Sequence, residues 1–154
     1  MSNYMFDTNI FNRVLDGVVE IPKFSNKAKF YATHVQQDEL KATSNSKRRK
    51  ALTAVFENLI GNKKVPTASF VLDISRLDEA NLGDEEDDLY SKIKEELDKL
   101  NKKRPSNIQD ALIAEAAIKN QLTLVTTDND LLVVTKSLGG KCANISEMLA
   151  ELGI

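Results

Sequence analysis

Leu122-Thr123-Leu124-Val125-Thr126-Thr127-Asp128-Asn129-Asp130-Leu131-Leu132-Val133-Val134 is the stretch that decides the fold. Its first five residues are apolar or β-branched, as in a strand, and Thr127-Asp128-Asn129-Asp130 are turn and cap residues before a second apolar run. Tyr4-Met5-Phe6-Asp7-Thr8-Asn9 repeats that layout near the other end of the chain. A short apolar run meets three good N-caps, and Ile10, Phe11, Val14 and Leu15 then recur at helical spacing until Gly17. Strand, acidic junction and helix thus occur twice.

Between these units the pattern keeps alternating. Lys29-Phe30-Tyr31-Ala32-Thr33 reads as a second strand, followed by a helix that contains Glu39. A helix over 47–60 ends at Gly61-Asn62, and Ser69-Phe70-Val71-Leu72-Asp73-Ile74 has strand composition. Charged amphipathic spacing predicts a helix over 89–100, broken at Pro105. From Ser106 the chain turns to helix formers, with Ser106 and Asn107 as expected caps. Strands alternating with helices predict an α/β fold, a three-layer α/β/α domain with a central, mostly parallel β-sheet, formed by residues 1–154 as one unit. Ligands in such sheets bind beyond the carboxyl ends of the strands, where Asp7 and Asp128 fall.

Composition narrows the chemistry. One cysteine (Cys142) and one histidine (His34) among 154 residues exclude an intramolecular disulfide and a four-ligand zinc site of the usual kind. Catalysis must therefore lean on carboxylates. Cys142 is expected in the core, and His34 as a packed or capping side chain. No apolar run is long enough for a membrane span and the first six residues lack a signal-peptide pattern, so a cytoplasmic protein is expected. The net charge is −2, but charge is clustered. Lys47-Arg48-Arg49-Lys50 and Lys102-Lys103-Arg104 are basic, whereas Asp84-Glu85-Glu86-Asp87-Asp88 is acidic and expected as a solvated loop.

Acids at the ends of neighbouring parallel strands can lie side by side, and Asp110 can join them from the first turn of its helix, where free N–H groups favour an ionised carboxylate. Ala114, Ala117 and Ile118 follow Asp110 at helical spacing, so that face can approach the sheet. Converging carboxylates repel and raise one another's pKa, and a hard divalent cation relieves the conflict. As isolated junctions, Asp7 and Asp128 are more readily explained as N-caps, and Glu39 alone as a surface residue.

Phe6-Asp7-Thr8-Asn9-Ile10, Asp38-Glu39-Leu40, Asp110-Ala111-Leu112-Ile113-Ala114-Glu115-Ala116 and Leu124-Val125-Thr126-Thr127-Asp128-Asn129-Asp130 resemble, in order, the four motifs of PIN-domain ribonucleases, including VapC-like toxins. The resemblance implies that Asp7, Glu39, Asp110 and Asp128 hold one or two Mg²⁺ or Mn²⁺ ions as the catalytic set. It gives Thr126 as the hydroxyl that orients the carboxylates, Asp130 as a secondary acid and Asn9 as the polar residue after the first aspartate. Where family members often have a basic residue this chain has Thr127, and where they often have an aromatic it has Leu131.

The implied activity is metal-dependent hydrolysis of RNA phosphodiester bonds, leaving 5′-phosphate and 3′-hydroxyl ends and needing no histidine. Lys47, Arg48, Arg49 and Lys50, with Lys102 to Arg104, are candidates to neutralise RNA phosphates, against the alternative of a solvated helix surface. Many small PIN proteins are toxins inhibited by an antitoxin protein, and homodimers are common among them. Two other readings fit the resemblance, a housekeeping RNA-processing nuclease and a non-catalytic module that binds RNA or protein. Intact acids at all four motif positions oppose the last.

Overall fold

The computed structural model of the chain describes residues 2–20, 26–69 and 89–153. Among them, β1 (Ser2–Phe6), β2 (Ala28–Tyr31), β3 (Thr123–Val125) and β4 (Lys141–Ala143) form one sheet in the order β2-β1-β3-β4. Every pairing is parallel: Tyr4 lies opposite Phe30 on one side and Thr123 on the other, and Leu124 lies opposite Cys142. The helices are α1 (Thr8–Leu15), α2 (His34–Lys41), α3 (Ser46–Ile60), α4 (Leu89–Asn101), α5 (Asn107–Lys119), α6 (Asn129–Ser137) and α7 (Ile145–Glu151). The expected α/β/α architecture is the one observed.

Strand alternation builds the layers. Tyr4, Phe6, Phe30 and Val125 point to one face and pack with residues of α1, α3 and α7, while Met5, Leu124 and Cys142 point to the other and pack with α4, α5 and α6. The first face is aromatic: Phe6 stands 4.9 Å from Phe30 and 5.8 Å from Phe11, which is 5.3 Å from Phe56. Burial of such a side chain contributes about 1.5–3 kcal/mol, so this cluster fastens α1 and α3 to the sheet. On the second face α5 is buried almost all round, from Ala111 to Ala117, and packs against α4, α6 and β3. Cys142 is buried as expected, and its thiol is pushed up to about 12 by burial.

Two elements go beyond the sequence reading. β4 has only three residues, too few for alternation to register, and α7 follows it behind Asn144, whose capping box with Glu147 starts the helix. Gly140 precedes β4 at a crowded point: a Cβ there would lie 2.6 Å from Ile118 Cγ1 and 2.8 Å from Thr135 Cγ2.

The expected cap of α5 needs correcting. Ser106 has helical backbone angles and makes no side-chain cap bond. A backbone turn meets the need instead, with Asn107 N donating to Arg104 O and Asp110 N to Ser106 O, both at 3.0 Å. The Asn107 side chain is buried and ties the end of α4, donating to Asp98 Oδ1 at 2.8 Å. The expected strand beyond Ser69 and the acidic run at 84–88 lie outside the described residues. Among those described, no helix is long and apolar enough to cross a membrane.

Candidate functional site

In the order β2-β1-β3-β4, the chain leaves β1 towards β2 on one side and returns through β3 on the other. The carboxyl ends of β1 and β3 therefore flank the switch point where open α/β sheets open a crevice. Asp7 follows β1 directly, with its backbone N–H bonded to Val125 O at 2.9 Å, and Thr126-Thr127-Asp128 follow β3.

Each junction acid divides its two oxygens between two tasks. Asp7 is the N-cap of α1: Oδ1 accepts from Thr8 N at 2.8 Å, and Oδ2 accepts from Thr126 Oγ1 at 2.7 Å. Asp128 is the N-cap of α6: Oδ1 accepts from Asp130 N at 2.9 Å and Leu131 N at 3.3 Å, leaving Oδ2 turned to Arg104. The cap and site readings of these residues are thus not alternatives. Thr126, buried, also accepts at Oγ1 from Asp128 N at 3.0 Å, so one hydroxyl spans both acids.

Glu39 arrives from α2. Thr33 caps that helix in a capping box with Gln36, and the buried Gln36 amide donates through Nε2 to Phe6 O at 3.1 Å. This bond fixes the first turn of α2 to the end of β1. Three residues on, and so on the same helix face, Glu39 accepts from Thr8 Oγ1 through Oε1 at 2.9 Å. Thr8 is a site residue that the sequence reading saw only as a cap former. His34 is buried as the first residue of α2, with Thr33 rather than His34 as the cap. Asp110 sits in the first turn of α5, half-buried at the helix's positive end.

Electrostatics join the four acids. Burial raises the Asp110 carboxyl to about 8, helped by the charges of Asp7, Glu39 and Asp128 and opposed by Arg104. Burial raises Glu39 to about 7; its Thr8 bond works against the shift and Asp7 adds to it. Asp7 is also raised, first by burial and then by Asp128, while the bonds from Thr126 and Thr8 hold it down. The expected mutual repulsion is present, though desolvation is the larger cause at all three.

The remaining candidates differ in setting. Asn9 is exposed in the first turn of α1. Asp130 shares a cation with Asp128: Arg104 Nη2 lies 3.3 Å from Asp128 Oδ2 and 3.9 Å from Asp130 Oδ2. Arg48 forks onto Asp16 and Asn12 at 2.9 Å, roughly two turns of helix along α1 from Asp7, and Arg49 donates to Thr43 O at 3.0 Å. Lys47 and Lys50 are exposed, as is Thr127, whereas Leu131 is buried. Thr127 borders a groove of about 390 Å³ lined also by Arg13, Val18, Asn144, Ile145 and Ser146.

The donors suit a hard divalent cation: carboxylate oxygens at a helix N-terminus and two strand ends, with raised proton affinity that a cation would offset. Among the described residues, no three acidic, histidine or cysteine side chains are already gathered at ligating distance.

No family model and no curated protein matches the chain. Among solved structures it is similar to VapBC2 from Rickettsia felis bound to a DNA fragment from their promoter, with a TM-score of 0.53, 15% identity, and coverage of 92% of this chain and 98% of that one. At this identity the likeness is one of fold. The chain has a PIN-like α/β/α fold, with Asp7 and Asp128 following the adjacent parallel strands β1 and β3.

Proposed function

We propose that the chain is a Mg²⁺- or Mn²⁺-dependent endoribonuclease with Asp7, Glu39, Asp110 and Asp128 as its metal-holding and catalytic set. One observation carries this reading: four carboxylates from β1, α2, α5 and the β3–α6 junction act on one another electrostatically at the switch point of a parallel sheet. A bound cation lowers the pKa of water and offsets charge that develops on the phosphoryl oxygens. The chain's own residues do the rest. Thr126 holds Asp7 and the Asp128 backbone in register, and Thr8 orients Glu39. Asp110, protonated near neutrality while no cation is bound, must give up that proton to ligate.

RNA is the preferred substrate because it is the one that the motif resemblance implies. The neighbouring groove, with Arg13 for phosphate and Thr127, Asn144 and Ser146 as hydrogen-bonding groups, suits a flanking nucleotide of a single strand. A protein partner in the manner of an antitoxin is the second element of the proposal. It is favoured by the fold likeness to VapBC2, which was solved on a fragment of promoter DNA.

The test is incubation of purified protein with mixed RNAs and Mn²⁺ or Mg²⁺, comparing wild type with Asp7→Asn and Asp110→Asn. Cleavage by wild type alone, abolished by EDTA and leaving 5′-phosphate ends, is expected. Equal cleavage by all three proteins, or ends bearing 2′,3′-cyclic phosphate, refutes the reading.

A further inference from the structure

Arg104 lies in the link between α4 and α5, where two consecutive non-glycine residues, Lys102 and Lys103, take left-handed angles of φ 56° and 60°. Such angles are costly for residues with a Cβ, and they persist only where surrounding structure enforces them. Enforcement is visible on both sides. Asn107, fully buried, holds Asp98 near the end of α4, and Asn107 N bonds back to Arg104 O. The strained link turns the Arg104 guanidinium onto Asp128 Oδ2 and within ion-pair range of Asp130. Asp128 Oδ2 is the oxygen not used in capping, and so the one free to ligate a cation.

We propose that Arg104 is an exchangeable counter-ion: it occupies Asp128 and Asp130 until a divalent cation displaces it, and it then holds a phosphate of the RNA. The proposal rests on the ribonuclease reading above. Three features support it. The ion pair is half-exposed, and pairs of that kind contribute little, so exchange is inexpensive. A guanidinium fork fits a phosphate as well as a carboxylate, and arginine keeps its charge in either place. The α4–α5 link also keeps Arg104 next to the acids whichever partner it takes. Release by the metal would thus deliver a cation to the substrate only when the site is loaded, coupling metal binding to RNA binding.

Two measurements test this. In the first, Mn²⁺ is titrated calorimetrically into wild type, Arg104→Gln and Lys103→Gln without RNA. Arg104→Gln should bind Mn²⁺ several-fold tighter than wild type, and tighter than Lys103→Gln, which removes the same charge one residue away. Equal affinities in the two variants overturn the counter-ion role. In the second, kcat/KM for a single-stranded oligoribonucleotide is followed against salt in Mn²⁺. Loss of one phosphate contact should make the log–log slope of Arg104→Gln shallower by about 0.7, with partial recovery in Arg104→Lys. An unchanged slope, with wild type active, overturns the phosphate role alone. Absence of cleavage by wild type instead refutes the ribonuclease reading, and the phosphate role falls with it.

Discussion

The hydroxyl of Thr126 donates to Asp7 at 2.7 Å and accepts from the backbone N–H of Asp128 at 3.0 Å, so a single buried oxygen sets the spacing of two site acids from neighbouring strands. Thr126→Val keeps the shape and removes both bonds. Leaving a buried carboxylate and a part-buried N–H without this partner should cost about 1–3 kcal/mol, seen as a lower denaturant midpoint, and should abolish most metal-dependent cleavage. Thr126→Ser should retain stability to within about 1 kcal/mol and keep activity. A valine variant as stable as wild type would remove Thr126 from its positioning role.

The raised carboxyls give the metal-free protein an inverted pH response. Asp110 ionises at 3.8 in an ordinary setting and at about 8 in the folded chain. Between those values the folded state binds more protons than the unfolded one, so stability falls as pH rises through the window and levels off outside it. Thermal melts in EDTA should show this fall from pH 5 to pH 8, and Asp110→Asn should flatten it while raising the melting temperature at pH 8. Added Mn²⁺ should stabilise wild type more at pH 8 than at pH 5.5. A wild-type melt that rises steadily over the same range contradicts the burial of these acids.

Thr8 tunes Glu39. Its hydrogen bond holds the glutamate down against burial, and even so the carboxyl titrates at about 7. Thr8→Val should push Glu39 higher, so the pH at which Mn²⁺ binding reaches half its plateau should move upward, whereas Thr8→Ser should leave it in place. An unshifted midpoint in the valine variant would show that Glu39 takes no part in holding the ion.

Gly140 marks where α5, α6 and β4 meet. A methyl group there would press on Ile118 and Thr135 at 2.6 and 2.8 Å, both side chains set in packed helices. Gly140→Ala should destabilise the protein by about 1–3 kcal/mol through overpacking, read from urea unfolding, with little change in metal affinity because the acids lie at the opposite ends of the strands. An alanine variant of full stability would mean the helices can shift apart freely.

The layered fold was legible because β1 and β3 each carry a compact apolar run that stops at a cap, and because α3, α4 and α5 declare themselves by spacing. β4 was not, since Lys141-Cys142-Ala143 is too short to show a period, and the helix behind it went unread although Asn144 and Glu147 stand three residues apart in a capping-box pattern. The strand ends that carry Asp7 and Asp128 and the first helical turn that carries Asp110 were legible from local pattern. Glu39 was not, because its direction is set by Gln36 reaching across to Phe6 O, a contact between residues 30 apart. Likewise the bond from Thr8 to Glu39 and the turn of Arg104 onto Asp128 depend on tertiary placement. Arg48, by contrast, was read as a candidate for phosphate and is found spending its fork on Asp16 and Asn12.

Asp7 and Asp128 also hold up the helices that begin at them, and this bears on how inert forms of the protein should be made. Alanine at either position removes a helix cap worth about 0.5–2 kcal/mol as well as a charge, so lost cleavage would be confounded with lost folding. Asparagine keeps an acceptor oxygen for the cap and exchanges the other oxygen for an amide nitrogen. One atom therefore separates the native chain from a variant of the same shape in which the proposed activity is tested without loss of the fold, and which can be used to capture whatever the site binds.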